Sequence, residues 1–364
     1  KYFLIFNPIL SSSPVQFIIK KSFIIFVFII LFYQNNSYSK PLEKKIEDFG
    51  IISLMYHRFE ENKYPSTNIK IEAFKKQLEI IKKENITFVN PKHFKNNLYK
   101  NKNERKILLT IDDAFLSFYN NAWPILKKEK IPFILFVSTR EVGSFNYMNW
   151  SQIKELFNEE FVEIGNHSHS HEYLVDEDES VIRDDIVKSV EIFKKQLGKN
   201  SSFFSYPFGE YSLKFKEIIK DLGFKYAFGQ HSGVIDETKD FYELPRFPIN
   251  EKYGDLKRFQ TLTKTLPLKY KNILPHEKYL TSAKNPPNVK IEFIKEIKNI
   301  KEITCYSNEG NSWRKSNINF IDKKNLEILI NEKFTGERGR INCSLNEGKG
   351  FWRWLGVQFV IAEK

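Results

Sequence analysis

The chain has seven histidines in 364 residues, and three of them fall within five positions, in Gly165-Asn166-His167-Ser168-His169-Ser170-His171. Imidazole ligates metal ions and moves protons near neutral pH, so this density points to chemistry. His167 and His171 are four apart. A helical turn would put both rings on one face, suited to one metal ion, with His169 directed elsewhere. An extended segment would put all three on one face, and a polar surface loop with a chance run of His is the bland alternative. A second window is Thr110-Ile111-Asp112-Asp113. Side chains of neighbouring residues diverge, so one carboxylate can bind a metal while the other accepts a proton from water. An Asp pair capping the next helix is the competing use. A third window, Ile51-Ile52-Ser53-Leu54-Met55-Tyr56-His57-Arg58, ends an apolar run in His57, a candidate general acid or a structural histidine. His231, in Gly229-Gln230-His231-Ser232-Gly233, either lines the same site or belongs to a loop.

These residues need elements to hold them. Between residues 51 and 247, strand-length apolar runs (51–56, 107–111, 133–137, 162–164, 203–206) alternate with helix-like stretches (71–83, 122–130, 150–157, 177–197, 213–222). Gly198 stands where a helix C-cap belongs. The alternation predicts an α/β domain with a parallel sheet or a barrel. The acid pair and the histidine run both follow strands, at the carboxyl ends where such folds place their sites. After about residue 260 the texture changes. Residues 266–287 read as irregular, and strand-like pieces follow at 289–293, 303–306, 318–320, 326–330, 339–343 and 355–361. They predict a small β-rich, sandwich-like domain over 265–364. The late aromatics Trp313, Phe351, Trp352 and Trp354 fit its core better than a sugar-stacking platform.

Composition excludes several classes. With 41% hydrophobic and 15% aromatic residues the chain is neither disordered nor collagen-like. A net charge of +12 raises nucleic acid as a partner, but Lys is spread along the chain rather than clustered, and no nucleic-acid partner is expected. The apolar run 22–33, flanked by Lys20 and Lys21, predicts that residues 1–39 are a signal peptide or an N-terminal membrane anchor, and hence export. Cys305 and Cys343 either pair in an oxidising compartment or stay as buried thiols.

The ordered set Thr110-Ile111-Asp112-Asp113, His167-Ser168-x-x-His171 and Tyr206-Pro207-Phe208-Gly209 resembles the NodB-homology polysaccharide deacetylases, carbohydrate esterase family four, over roughly residues 48–250. The resemblance implies a distorted (β/α)7 barrel over 48–260. It implies that Asp113, His167 and His171 bind a divalent metal, usually zinc, and that Asp112 is the general base. Phe208, through its backbone N–H, and Tyr206 are implied on the substrate and oxyanion side. The family's late Leu-x-x-His motif is missing, but Leu54-Met55-Tyr56-His57 matches it near the start. That order resembles the circularly permuted branch, which includes poly-N-acetylglucosamine deacetylases, and implies His57 as the acid. Two departures stand out. Ala114 follows the acid pair where Gly is usual, and Ser205 replaces the Arg that orients the base, leaving Arg246 as a substitute from another strand. The expected function is metal-dependent deacetylation of an N-acetylated envelope glycan. The alternative is a catalytically silent carbohydrate-binding protein on the same scaffold. An iron-dependent oxygenase is set aside because its His-x-Asp/Glu spacing is absent.

Overall fold

The computed structural model describes residues 48–362. The expected signal or anchor segment, 1–39, lies outside the described residues, among which no helix is long and apolar enough to cross a membrane. Six parallel strands lie side by side in chain order: β1 (Ile51–Tyr56), β2 (Lys106–Ile111), β3 (Phe133–Val137), β4 (Val162–Asn166), β5 (Phe203–Ser205) and β6 (Tyr226–Phe228). Every residue in these strands is buried, so most read as near-continuous apolar runs rather than alternating ones; β4, with Glu163 and Asn166, is the exception.

Alternation still operates inside each run. Ile51, Leu108, Ile134, Phe136, Phe203 and Phe228 share one apolar cluster, closed by Phe94, whose ring packs on Phe203 and Tyr226. The intervening residues pack against helices instead. Ile52, Leu54, Ile107, Leu109, Phe133 and Leu135 meet α1 (Ile71–Lys83), α2 (Trp123–Glu129) and α3 (Trp150–Phe157). Phe204 and Tyr206 meet α4 (Glu179–Leu197) and α5 (Leu213–Asp221). Asn149 opens α3 in a reciprocal capping box with Gln152, and Gly198 ends α4 at φ 76°.

The distortion of the barrel is local to residues 244–248. Leu244 bridges Phe228 at the end of β6, while Phe247–Pro248 pairs in parallel with Leu54 and Met55 of β1. This short segment spans the gap between first and last strands, and Arg246 sits at its middle. The sheet is thus a curled barrel closed by an irregular seventh strand.

Two further sheets follow. One is led by β7 (Thr304–Ser307), β8 (Arg338–Gly348) and β9 (Phe351–Ile361); the other joins Tyr270–Leu274, Val289–Phe293, Asn325–Leu329 and Asn317–Phe320. Both contribute to a single core, with Ile291, Phe293 and Leu326 on one side and Ile341, Leu355 and Phe359 on the other, so the β-rich region is a sandwich. Cys305 and Cys343 face each other across β7 and β8 in that core and are disulfide-bonded.

Two expectations are corrected here. Residues 266–287 are not irregular throughout: Thr265–Pro267, Tyr270–Leu274 and Tyr279–Leu280 are strands, too short and proline-bounded to show a period. Nor do the late aromatics fill the sandwich core. Trp354 packs on Phe247 of the barrel, Phe351 lies against Phe49, and Trp313 is exposed. β9 is the reason: its Leu355, Val357 and Phe359 enter the sandwich, while Gly356 lies against the backbone of Ser232 and Val360 joins a barrel cluster.

Candidate active site

Asp112 is the first residue past β2, and its N–H donates to Tyr56 O at 2.9 Å, extending the β1–β2 pairing by one step. Its side chain is fully buried and held by Arg246, whose Nη1 and Nη2 donate to Oδ1 and Oδ2 at 2.7 and 2.9 Å. The same guanidinium also donates to Ser205 Oγ at 2.9 Å, Thr110 Oγ1 at 3.2 Å and, from Nε, Gly229 O at 3.0 Å. All five of its N–H donors point into this network, and the rings of Phe136 and Phe228 flank it. Burial alone would push the Asp112 pKa up, but Arg246, then His167 and His57, outweigh burial and hold it at about 2. Arg246, named from sequence as a substitute orienting residue, therefore touches Asp112 through both carboxylate oxygens, and Ser205 completes the same network.

Asp113 diverges. It and Ala114 both adopt left-handed backbone, at φ 74° and 54°, so the chain turns sharply off the strand. The turn is fastened by Met148 N–H donating to Ala114 O and by the Phe115–Tyr147 bridge. Asp113 Oδ1 then lies 3.5 Å from His167 Nε2 and 3.4 Å from His171 Nε2. The three donor atoms fall within 4.8 Å of one another.

The two histidines reach this point by different routes. His167 follows β4 and is buried; its Nδ1 lies 2.7 Å from Ser205 O. A carbonyl can only accept, so Nδ1 carries the hydrogen and Nε2 is left with its lone pair facing Asp113. Burial first and His171 second push the His167 pKa down to about 4 against the pull of Asp112 and Asp113, so the ring is neutral. The run from His167 to His171 is neither of the conformations weighed from sequence. It is a turn with Ser168 at φ 70° and His171 at φ 54°, in which Ser168 Oγ accepts from His171 N–H at 3.0 Å. Asp185 of α4 anchors it by accepting from His169 N–H and Ser170 N–H. His169 points away, with Nδ1 2.8 Å from Thr139 Oγ1.

His57 lies beside this cluster, with Nε2 4.0 Å from Asp112 Oδ2. Phe208 comes to the site through its ring, 4.9 Å from that of His171, on a turn with φ 57°. The Tyr206 side chain is not brought to the cluster: it is buried among Phe204, Tyr211 and Phe215, and its hydroxyl donates to Tyr242 O at 2.9 Å. His231 is likewise separate, its ring near Tyr211 and its pKa pushed down to about 3, by burial first and then by Lys278, Lys239 and Lys216. A cavity of about 460 Å³ opens beside Asp113 and His171, with Arg58, Tyr64, Phe115 and Tyr147 in its wall. Sequence reasoning missed these four wall residues; only Arg58, next to His57, carried a positional hint.

The family model for polysaccharide deacetylase matches residues 99–227, which contain the acid pair, the histidine turn and Pro207-Phe208-Gly209. Residues 99–227 are thus similar to the polysaccharide deacetylases. Among curated proteins similar to this chain, the poly-β-1,6-N-acetyl-D-glucosamine N-deacetylase of Staphylococcus epidermidis is 28% identical over 261 residues, 64% of this chain and 87% of the relative. The protein of the same name from Staphylococcus aureus (strain N315) is 26% identical over 247 residues, 60% of this chain and 84% of the relative. Among solved structures, IcaB from Ammonifex degensii superposes with a TM-score of 0.55 at 26% identity, covering 60% of this chain and 98% of that one. The Streptococcus pyogenes deacetylase PplD, in complex with acetate, gives 0.53 at 25% identity, covering 59% and 98%.

Proposed function

We propose that this protein is a metal-dependent hydrolase that removes acetyl groups from an N-acetylglucosamine-type polysaccharide of the cell envelope. The observation that carries the reading is the convergence of Asp113, His167 and His171 beside a second, buried carboxylate, Asp112, that Arg246 holds ionised. The donor set fits a divalent ion, zinc before others: two imidazoles and one carboxylate, with His167 neutral and correctly oriented. Bound there, the ion would supply Lewis-acid polarisation of the acetyl carbonyl and acidify a water.

This chain's own residues supply the rest. Asp112 accepts the proton of the attacking water. Its low pKa makes it a weak base, so it acts through fixed position and by being ionised before the water attacks. His57, next to Asp112, returns a proton to the departing amine. The Phe208 N–H serves the developing oxyanion, a donor worth about 3 kcal/mol where geometry is good. The cavity lined by Tyr64, Phe115 and Tyr147 receives the sugar beside the reacting carbonyl. Binding sugar without chemistry would use neither the metal donors nor the Arg-held Asp112. The substrate class rests on the relatives, whose names specify poly-β-1,6-N-acetyl-D-glucosamine.

The reading also places the protein outside the cytoplasm, with residues 1–39 directing or anchoring it, 48–260 as the catalytic barrel and 265–364 as an accessory domain. The Cys305–Cys343 disulfide supports an oxidising compartment. The test is acetate release from poly-β-1,6-N-acetylglucosamine oligomers by the zinc-loaded full chain. Chelation should abolish release and added zinc restore it. A metal-bound protein that frees no acetate from any N-acetylated glycan would sink the proposal.

A further inference from the structure

We propose that the C-terminal sandwich is part of the catalytic apparatus: Gln358 and Arg338 are positioning residues that hold the Pro207-Phe208-Gly209 turn against the metal-donor cluster. The inference deepens the deacetylase reading and rests on it.

The turn needs holding. Phe208 and Gly209 are consecutive left-handed residues, at φ 57° and 73°, and only the second is glycine. Inside the turn, Gly209 N–H donates to Tyr206 O and Glu210 N–H to Pro207 O. The Gly209 carbonyl faces outward, and Gln358 of β9 donates to it from Nε2 at 3.1 Å. The Gln358 amide is itself oriented, because its Oε1 accepts from Arg340 Nε of β8 at 3.3 Å. One residue further, the buried carboxylate of Glu210 pairs with Arg338 Nε. Gln358 and Glu210 are 2% and 1% exposed, so both contacts are shielded from water.

The other end of the same segment enters the site. Ser205 bonds His167 Nδ1 through its carbonyl and Arg246 through its hydroxyl, and the Phe208 ring lies against His171. Residues 205–210 therefore run from the metal donors to the sandwich. Along β8 and β9 the side chains that face the sandwich core, Ile341, Val357 and Phe359, are apolar. Those facing the barrel turn are polar: Gln358 reaches the Gly209 carbonyl, Arg338 the Glu210 carboxylate, and Arg340 the Gln358 amide oxygen. Packing alone would be served by apolar residues there; orienting a carbonyl and a carboxylate is not.

The experiment compares zinc-loaded full-length protein with Gln358→Leu, Arg338→Ala and Arg338→Lys. Three quantities are read in each: kcat and KM for acetate release, zinc stoichiometry, and amide hydrogen exchange over residues 206–211. Gln358→Leu keeps the volume and removes the donor. It should lower kcat about tenfold, leave KM and zinc within twofold, and speed exchange in the turn. Arg338→Ala should act likewise, and Arg338→Lys should recover most of the lost kcat. Variants with wild-type kcat, or with losses that track lost zinc or lost fold, overturn the proposal. Should the wild-type protein release no acetate, the deacetylase reading fails, and exchange alone then judges the turn: faster exchange supports its being held from the sandwich, and unchanged exchange overturns it.

Discussion

His167 Nε2 and Asp112 Oδ2 lie 3.9 Å apart, yet the two corners of the site that they belong to are built in opposite ways. The Asp112 corner stands on β1, β2 and the irregular seventh strand; Asp112 and Arg246 have no exposure, and both carboxylate oxygens are bonded. Apart from His167, buried directly after β4, the donor corner stands on turns. Asp113, Ser168 and His171 all have positive φ, and the Asp113 and His171 side chains remain partly open to the cavity. A group that must sit ionised in one place is best fixed by a strand-borne ion pair. Donors that must close around an ion and admit a substrate are better placed on turns that leave an open side. Under the proposed function, the contrast would divide proton transfer and ion holding between the two corners.

The sharpest way to break that division is to remove one group from each corner. Asp112→Asn should lower acetate release by about 10²–10⁴-fold while zinc content stays unchanged. His171→Ala should weaken zinc binding strongly, and excess zinc should recover part of its activity. If Asp112→Asn loses zinc as readily as His171→Ala, Asp112 is a ligand and the division falls. Stability is the next discriminator. Arg246→Met strands a buried carboxylate and should cost about 3–5 kcal/mol in denaturant unfolding. His171→Ala in the metal-free protein should cost no more than about 1 kcal/mol, since its ring is only half-buried.

A smaller effect follows from pH. The Asp112 pKa is lowered from 3.8 to about 2 on folding, so the folded state favours its ionised form. That contribution, of order 2 kcal/mol, is fully present above about pH 4 and is lost as pH falls through about 2. In metal-free protein, the acid limb of stability between those values should therefore be shallower for Asp112→Asn than for wild type. Equal slopes would mean that Arg246 does not hold the carboxylate as described.

Much of this arrangement was legible in residue types and spacing, and the limits of that legibility are physical. Most strands of the barrel announced themselves because burial on both faces makes them near-continuous apolar runs, whereas the three-residue β6 did not. Asp112, Asp113, His167 and His171 were legible because unusual groups stand directly after such runs. Arg246 was legible only through an absence, the Ser205 that leaves its usual position empty of charge, since 134 residues separate it from Asp112. Pocket residues such as Tyr64 and Tyr147 gave no signal, because loops carry no period. The Tyr206 side chain misled because chain alternation turns it into the helical layer while its neighbour Ser205 serves the site. The conformation at 167–171 escaped for a related reason: two positive φ values, not a helix, bring His167 and His171 together.

That last point yields the finest test, one that separates the three clustered histidines. An extended segment would leave His169 free to join the donors, whereas the observed turn commits it elsewhere. Its Nδ1 is 2.8 Å from Thr139 Oγ1 and its backbone N–H is held by Asp185, so its ring is spent on fastening the turn to the loop after β3. His169→Ala should then leave zinc affinity within about twofold. It should cost roughly 1 kcal/mol of stability, the scale of one part-buried hydrogen bond. Thr139→Val should reproduce that cost, and the double variant should cost little more than either single change, because both delete the same contact. Calorimetric zinc titration and denaturant unfolding read the two quantities separately. A large loss of zinc affinity on His169→Ala, with the Thr139 variant unaffected, would return His169 to the ion and replace the turn geometry with the extended alternative.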